Sequence, residues 1–272
     1  MKIVCFLSDF GLTDDFVGTC RGVMAGISPS TPVVDLTHDV PGFRVEAGAE
    51  ILRHATRYMP AGTIYLAVVD PGVGTKRRGL ALQAGESYLV GPDNGLLIPA
   101  AEALGGISSA VALTNPDYQI HPVSNTFHGR DVFAPAAAYL AAGVAVEELG
   151  EVLSPEELRT MSVPEAGEDA GAGGFLARIL AIDRYGNARL SVMQENANLE
   201  YGQTLQVDAG DGKMSVRYVE TFGSANAGEL ILVPDSHWRL SLAVNQGNAA
   251  QALALSVGAR VRLFLAPDDA AT

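Results

Sequence analysis

Three aspartates stand where apolar, strand-like runs give way to turns. Asp9 follows Lys2–Leu7, Asp70 follows Thr63–Val69, and Asp93 lies in the turn after Tyr88–Val90. In open α/β sheets, ligands bind at the carboxyl edge of the strands. Carboxylates gathered there can hold a metal, a ribose or a water, and each can equally be an ordinary turn former. Val69-Asp70-Pro71-Gly72-Val73-Gly74 is a tight glycine-containing turn. It lacks the Lys-Ser/Thr of a P-loop and does not match the dinucleotide fingerprint. The basic Thr75-Lys76-Arg77-Arg78 that follows reads, on spacing alone, as a solvated loop. His128, within Thr126–Asp131, sits just before an alanine-rich helix, where a polar group often faces a ligand. Asp131 reads as that helix's cap, and His38, His54, His121 and His237 as structural.

These residues need a scaffold, and the first half of the chain predicts one. Asp14–Ile27 places Phe16, Val17, Cys20, Val23, Met24 and Ile27 on one helical face. Pro32–Leu36 reads as a second strand ending in Thr37-His38. Val45–Met59 has helical spacing and stops at Pro60. With the strands already named and a helix through Ala134–Ala142, strands and helices alternate. That implies an α/β domain over residues 1–163, built on a mostly parallel sheet covered on both faces. Residues 164–174 are rich in Gly, Ala and acid and read as a linker. Residues 175–272 change to short strands separated by turns: Phe175–Ile182, Ala188–Val192, Thr204–Val207, Met214–Val219, Leu230–Val233, Arg239–Val244 and Val261–Ala266. This spacing predicts a small β-barrel or sandwich. The turns at Asp183–Asn187, Asp235–Trp238 and Asn245–Asn248 look structural by composition.

The bulk properties exclude several classes. The 272 residues are 48% hydrophobic and 18% charged, as in globular proteins. No apolar run approaches a membrane span, and Asp9 follows the apolar start too soon for a secretory signal. A net charge of −13 argues against nucleic acid and is compatible with a cationic ligand. Cys5 and Cys20 fit neither a disulfide framework nor a zinc site. They read as buried thiols of a cytoplasmic protein.

The order and spacing of the segments resemble one family over nearly the whole chain. The matching stretches are Ser8-Asp9-Phe10-Gly11 with Asp14-Asp15, Asp35-Leu36-Thr37-His38, Val68–Gly74, Pro92-Asp93-Asn94-Gly95, Phe127-His128-Gly129-Arg130-Asp131, and Ile182-Asp183 through Gly186-Asn187. The chain is similar to the S-adenosyl-L-methionine (SAM) hydroxide adenosyltransferases, relatives of the fluorinase and chlorinase. The resemblance implies an α/β amino-terminal domain, a β-barrel-like carboxyl-terminal domain, and a homotrimer with sites at subunit interfaces. It implies SAM as substrate, with neither cofactor nor metal. The halogenase branch has Tyr at the positions of Asp70 and His128, and the fluorinase has Ser at that of Gly129 and a long insertion after the third strand that is missing here. The hydrolase branch matches at Asp70, Arg77 and His128, with Arg78 the neighbouring candidate for the arginine.

The resemblance assigns these three residues to orienting and deprotonating an attacking water and stabilising its charge. It further implies Asp9 as the ribose ligand, and Asp14, Asp183 and Ser236 at the methionine end. Asn187 and Phe222 match adenine contacts, Phe43 stands where the fluorinase stacks Trp, and Val244 replaces one of its arginines. The competing readings are a halogenase, a metal-dependent phosphohydrolase and a non-catalytic adenosine or SAM binder.

Overall fold

The computed structural model describes residues 2–161, 163, 166–171, 174–210 and 212–265. It divides into two compact units, Met1–Val163 and Pro164–Thr272. The first unit begins β1 (Val4–Ser8), α1 (Phe16–Ile27), β2 (Val33–Thr37), α2 (Val45–Ala55) and β3 (Ile64–Val68). It continues with β4 (Gly79–Ala84), β5 (Ser87–Pro92), α3 (Ile98–Ala103), β6 (Ile107–Ala112), α4 (Ala134–Ala142) and β7 (Glu151–Leu153). The strands form one sheet in the order β2-β1-β3-β5-β4-β6-β7.

Alternation along the strands builds two cores, because successive side chains point to opposite faces. Phe6, Leu66 and Val90 pack with residues of α1 and α4 on one face. Cys5, Leu7, Tyr65 and Ala67 pack with residues of α2 and α3 on the other. Burial pushes the Cys5 and Cys20 thiols up to about 12, which leaves both protonated and inert.

The sheet is parallel only across β2, β1, β3 and β5. Beyond β5 the pairings of β4, β6 and β7 are antiparallel, a departure from the mostly parallel expectation. The cause is a hairpin: β4 returns as β5 through Gly85-Glu86, with φ +55° at Gly85, the position where a two-residue loop favours glycine. The parallel half carries the site. β1 leads through α1 to β2 on one side, and β2 leads through α2 back across to β3 on the other side of β1. The order therefore reverses between β1 and β3, which opens a crevice at their carboxyl ends. Asp9 and Asp70 flank it.

The second unit contains β8 (Glu168–Gly171), β9 (Gly174–Ile182), β10 (Ala188–Met193), β11 (Thr204–Asp208), β12 (Lys213–Tyr218), β13 (Leu230–Pro234), β14 (Arg239–Val244), α5 (Ala249–Ala252) and β15 (Arg260–Leu265). Strands β10-β14-β13-β12-β11-β15-β9 close on themselves through a β9–β10 pairing. The result is a seven-strand barrel around Ile179, Leu190, Val207, Leu232, Leu242 and Leu263. Every predicted strand of this half has its counterpart, though Ala266 lies outside the described residues. Glu168–Gly171, inside the stretch read as a linker, instead pairs with β9 as an added strand. Residues 164, 165, 172 and 173 of that stretch lie outside the described residues.

Candidate active site

A cleft of about 250 Å³ opens at the carboxyl edge of β1 and β3, lined among others by Asp9, Phe10, Phe43, Asp70, Phe127 and His128. Behind it the sequence-predicted trio meets. Arg77 Nε donates to Asp70 Oδ1 at 2.9 Å and Oδ2 at 3.1 Å. Arg77 Nη2 also donates to Asp70 Oδ2, and it lies 2.9 Å from His128 Nδ1. The side chains of Arg77 and Asp70 are only 5% and 6% exposed, so solvent screens this pair little. Phe133 supplies a ring face 5.0 Å from the Arg77 guanidinium carbon. Asp70 Oδ1 further accepts from Gly72 N–H at 3.2 Å.

A guanidinium has no acceptor, so His128 Nδ1 must carry its lone pair toward Arg77. The neutral imidazole then bears its proton on Nε2. Burial, and next the Arg77 charge, lower the His128 pKa below its ordinary 6.5, which favours the neutral form. His128 immediately precedes a π-helical turn, Gly129–Phe133, that leads into α4. Gly129 lets the chain pass close to Phe10: a Cβ there would come within 2.9 Å of the ring tip, so the ring would have to shift.

Arg78, the alternative arginine, turns elsewhere. Its Nε and Nη2 donate to Asp93 Oδ2 at 2.9 and 2.7 Å, and its Nη2 also to the Glu157 carbonyl. Asp93 Oδ1 accepts from Arg159 N–H at 2.9 Å. Thus Asp93, the third strand-end acid, is buried and anchors the 155–161 segment instead of facing the cleft. Its neighbour Asn94 donates from Nδ2 to the Val69 carbonyl at 2.8 Å and so fixes the peptide that carries Asp70. Asp131 does not cap α4. It accepts from Ser124 N–H and pairs with Arg130, closing the loop that presents His128. Burial alone would raise its carboxyl, but these partners outweigh burial and hold it low.

Asp9 also lines the cleft, its Oδ2 accepting from Phe43 N–H at 2.9 Å. Phe43 is 76% exposed and adopts φ +65°, a conformation costly for a phenylalanine. Asp14 is exposed just before α1 and is not among the cleft-lining residues. A wall of three rings was not foreseen as lining. Phe16 lies 5.9 Å from Phe10 and 5.0 Å from Phe127, and Phe10 lies 5.8 Å from Phe127, all edge to face. Phe10 and Phe127 stood in the family-matching stretches and Phe16 on the apolar face of the first helix, but none was assigned to the site.

In the barrel, Asp183 Oδ1 accepts from Tyr185 N–H and Asn187 N–H, and Oδ2 from Asn187 Nδ2 at 2.8 Å. Asp183, Arg184 and Tyr185 of the turn are exposed while Gly186 is buried, and Oδ2 keeps acceptor capacity. Gly186, at φ +84°, packs its backbone against the Asn248 side chain. Ala250 N–H donates to the Gly186 carbonyl, and Asn245 Nδ2 to the Ala225 carbonyl. These contacts bring the Asp183–Asn187 turn and the Phe222–Ser224 turn to the same end of β14. Ser236 lies at the other end, in the turn before Arg239. An Arg189–Asp235 ion pair ties that turn back to β10.

The chain thus combines an α/β unit, with an acid–arginine–histidine cluster at its strand crossover, and a closed seven-strand barrel. Residues 4–150 match the SAM hydroxide adenosyltransferase N-terminal domain and residues 177–262 its C-terminal domain, and the chain belongs to that family. It is 46% identical over 261 residues to a Salinispora tropica protein named (R)-S-adenosyl-L-methionine hydrolase, covering 96% of this chain and 97% of that one. An Actinopolyspora mzabensis fluorinase is 29% identical, with 96% of each chain covered. The crystal structure of an uncharacterized conserved protein from Thermotoga maritima superposes with a TM-score of 0.88 at 30% identity, covering 96% of this chain and all of that one.

Proposed function

We propose that this protein hydrolyses SAM, in the (R)-sulfonium form named for its relative, to adenosine and L-methionine. The observation that carries the reading is the shared Arg77 Nη2, which bonds both Asp70 and His128 while those two line the cleft.

The sulfonium makes C5′ electrophilic, and methionine leaves as a neutral thioether that needs no proton. As water oxygen bonds to C5′ and the C5′–S bond breaks, the oxygen becomes acidic and must lose a proton. Asp70, an acceptor whose orientation Arg77 fixes, takes that proton, a role worth about 10²–10⁴-fold. His128 Nε2–H donates to the oxygen and aims its remaining lone pair at C5′. Arg77 does not line the cleft. It acts from behind by holding the carboxylate and the imidazole tautomer together. In-line positioning adds to this, and the three-ring wall keeps bulk water away.

Asp9 accepts from the ribose hydroxyls, and Phe43 offers its ring to the nucleoside. Asn187 and Phe222 meet the adenine, while Asp14, Asp183 and Ser236 meet the methionine end. The reading includes no cofactor or metal, a homotrimeric assembly and a cytoplasmic location. Among the described residues no helix is long and apolar enough to cross a membrane.

Purified protein given SAM without added metal is expected to release adenosine and methionine in equal amounts, with the (R) epimer consumed first. Intact substrate, or a 5′-halo-5′-deoxyadenosine formed only with halide, would overturn the reading.

A further inference from the structure

His38 is a buried imidazole that the proposed chemistry leaves without a task. It lies 4% exposed beneath the Asp9 turn, edge-on to Phe6 with ring centroids 4.6 Å apart. Its Nδ1 is 2.7 Å from Ser8 Oγ, and Ser8 is fully buried. Phe10 N–H donates to the same Oγ at 3.3 Å, so Ser8 joins the His38 ring to the Asp9–Phe10 peptide whichever of Oγ and Nδ1 is the donor. His38 Nε2 is buried without a hydrogen-bond partner among the described residues and lies 3.3 Å from Asp35 Oδ1, a proximity without hydrogen-bond geometry. Asp35 Oδ2 in turn accepts from Arg21 of α1 at 3.0 Å. The His38–Ser8 pair thus ends on the peptide that follows Asp9, with the Arg21–Asp35 ion pair lying beside the ring's other nitrogen.

Three more bonds lace the same two loops. Gly11 N–H donates to the His38 carbonyl, Val40 N–H to the Ser8 carbonyl, and Phe43 N–H to the Asp9 carboxylate. Asp9 is therefore held on both sides by the segment that starts at His38. Ser8 cannot be a nucleophile, since no part of it reaches the cleft.

We infer that His38 is a positioning residue that acts through Ser8 to hold the Asp9 carboxylate in register with a vicinal diol. This rests on the reading of Asp9 as ribose ligand. The consequence is specific: losing His38 weakens ligands with a 2′,3′-diol and spares those without one.

Calorimetric titration with adenosine and with 2′,3′-dideoxyadenosine tests this. Asp9→Asn is expected to weaken adenosine by about tenfold, the scale of a lost charged hydrogen bond, and leave the dideoxy ligand unchanged. His38→Ala and Ser8→Ala should each reproduce that diol-dependent loss, and neither should add to it in the Asp9→Asn background. His38→Asn, whose side-chain amide can donate or accept where Nδ1 stood, should recover most of the affinity for adenosine. Equal weakening of both ligands by His38→Ala and Ser8→Ala, unchanged affinity, or additivity with Asp9→Asn would overturn the inference while leaving Asp9's role intact. Absence of any diol dependence in Asp9→Asn would overturn the ribose reading, and the inference with it. Thermal melts accompany each variant, and Ser8→Ala carries the test if His38→Ala does not fold.

Discussion

The Asp70–Arg77–His128 cluster and the Asp183–Asn187 turn both combine an aspartate with nitrogen donors, yet they are built oppositely. The cluster spans 51 residues between Arg77 and His128, and its Asp70–Arg77 pair is almost wholly shielded while His128 is partly buried at the cleft. The turn closes on itself over four residues and exposes Asp183, Arg184 and Tyr185, with Gly186 buried and Asn187 partly buried. Chemistry needs a fixed proton inventory, and shielding with charge pairing supplies one. Binding needs accessible groups with capacity to spare, and an exposed self-bonded turn supplies those.

The largest effects should come from breaking the shielded cluster. Asp70→Ala and His128→Ala are each expected to lower kcat by about 10²–10⁴-fold in steady-state product assays, with adenosine affinity retained. A parallel loss of affinity would return those residues to the binding class. Arg77→Leu should do more, since it strands a shielded carboxylate; unfolding in urea should register a loss of about 3–5 kcal/mol. Arg77→Lys keeps the charge but cannot bond both partners through one planar fork, so it should restore stability better than turnover.

The same contrast has a pH signature. His128 is held neutral, its pKa lowered by burial and by Arg77. Below 6.5 the unfolded chain therefore binds a proton that the folded chain resists. Stability is complete above the unfolded pKa and declines as pH falls from 6.5 toward the folded value. Turnover should share that acid limb and be level on its neutral side. In His128→Ala the stability change should vanish from this window. A kcat limb centred above 6.5 would contradict the neutral tautomer.

On the turn, Asn187→Ala should raise KM by about tenfold and leave kcat unchanged. Asp183→Ala should act in the same direction, and the pair should be non-additive because the two side chains bond each other.

How much was legible follows the same division. Seven barrel strands could be read because turn residues punctuate them at short range. The Asp183–Asn187 turn is equally local. The antiparallel edge was not legible: β4 is short and returns as β5 through a two-residue loop with Gly85 at φ +55°, and β6 then pairs antiparallel with β4. Nor does spacing distinguish Arg77 from Arg78. They are adjacent in sequence, and only the fold sends one to Asp70 and the other to Asp93. Asp93 and Asp70 looked alike as strand-end acids, but the 155–161 segment that covers Asp93 is remote in sequence. Family resemblance brought Asp70, Arg77 and His128 together in advance because it carries such long-range information.

The smallest expected effect isolates the rim from the core. Phe43 combines an exposed ring with a left-handed backbone, and two substitutions separate these. Phe43→Ala removes the ring and keeps the strained φ. With 76% of the residue already in solvent, stability should change by less than about 0.5 kcal/mol. Adenosine affinity should nevertheless fall by about tenfold at most, the range of one aromatic contact. Phe43→Gly loses the same ring but relieves a conformation that costs roughly 1–2 kcal/mol in a non-glycine residue. Its greater unfolded-state freedom offsets about 0.5–1 kcal/mol of that gain. Equal affinity losses in the two variants, with the glycine variant at least as stable as the alanine one, would mean that the strain is borne for the ligand's sake. If Phe43→Ala instead left adenosine binding intact, the strained loop would serve only to aim its N–H at Asp9. Phe43 would then belong with the positioning residues and not with the binding surface.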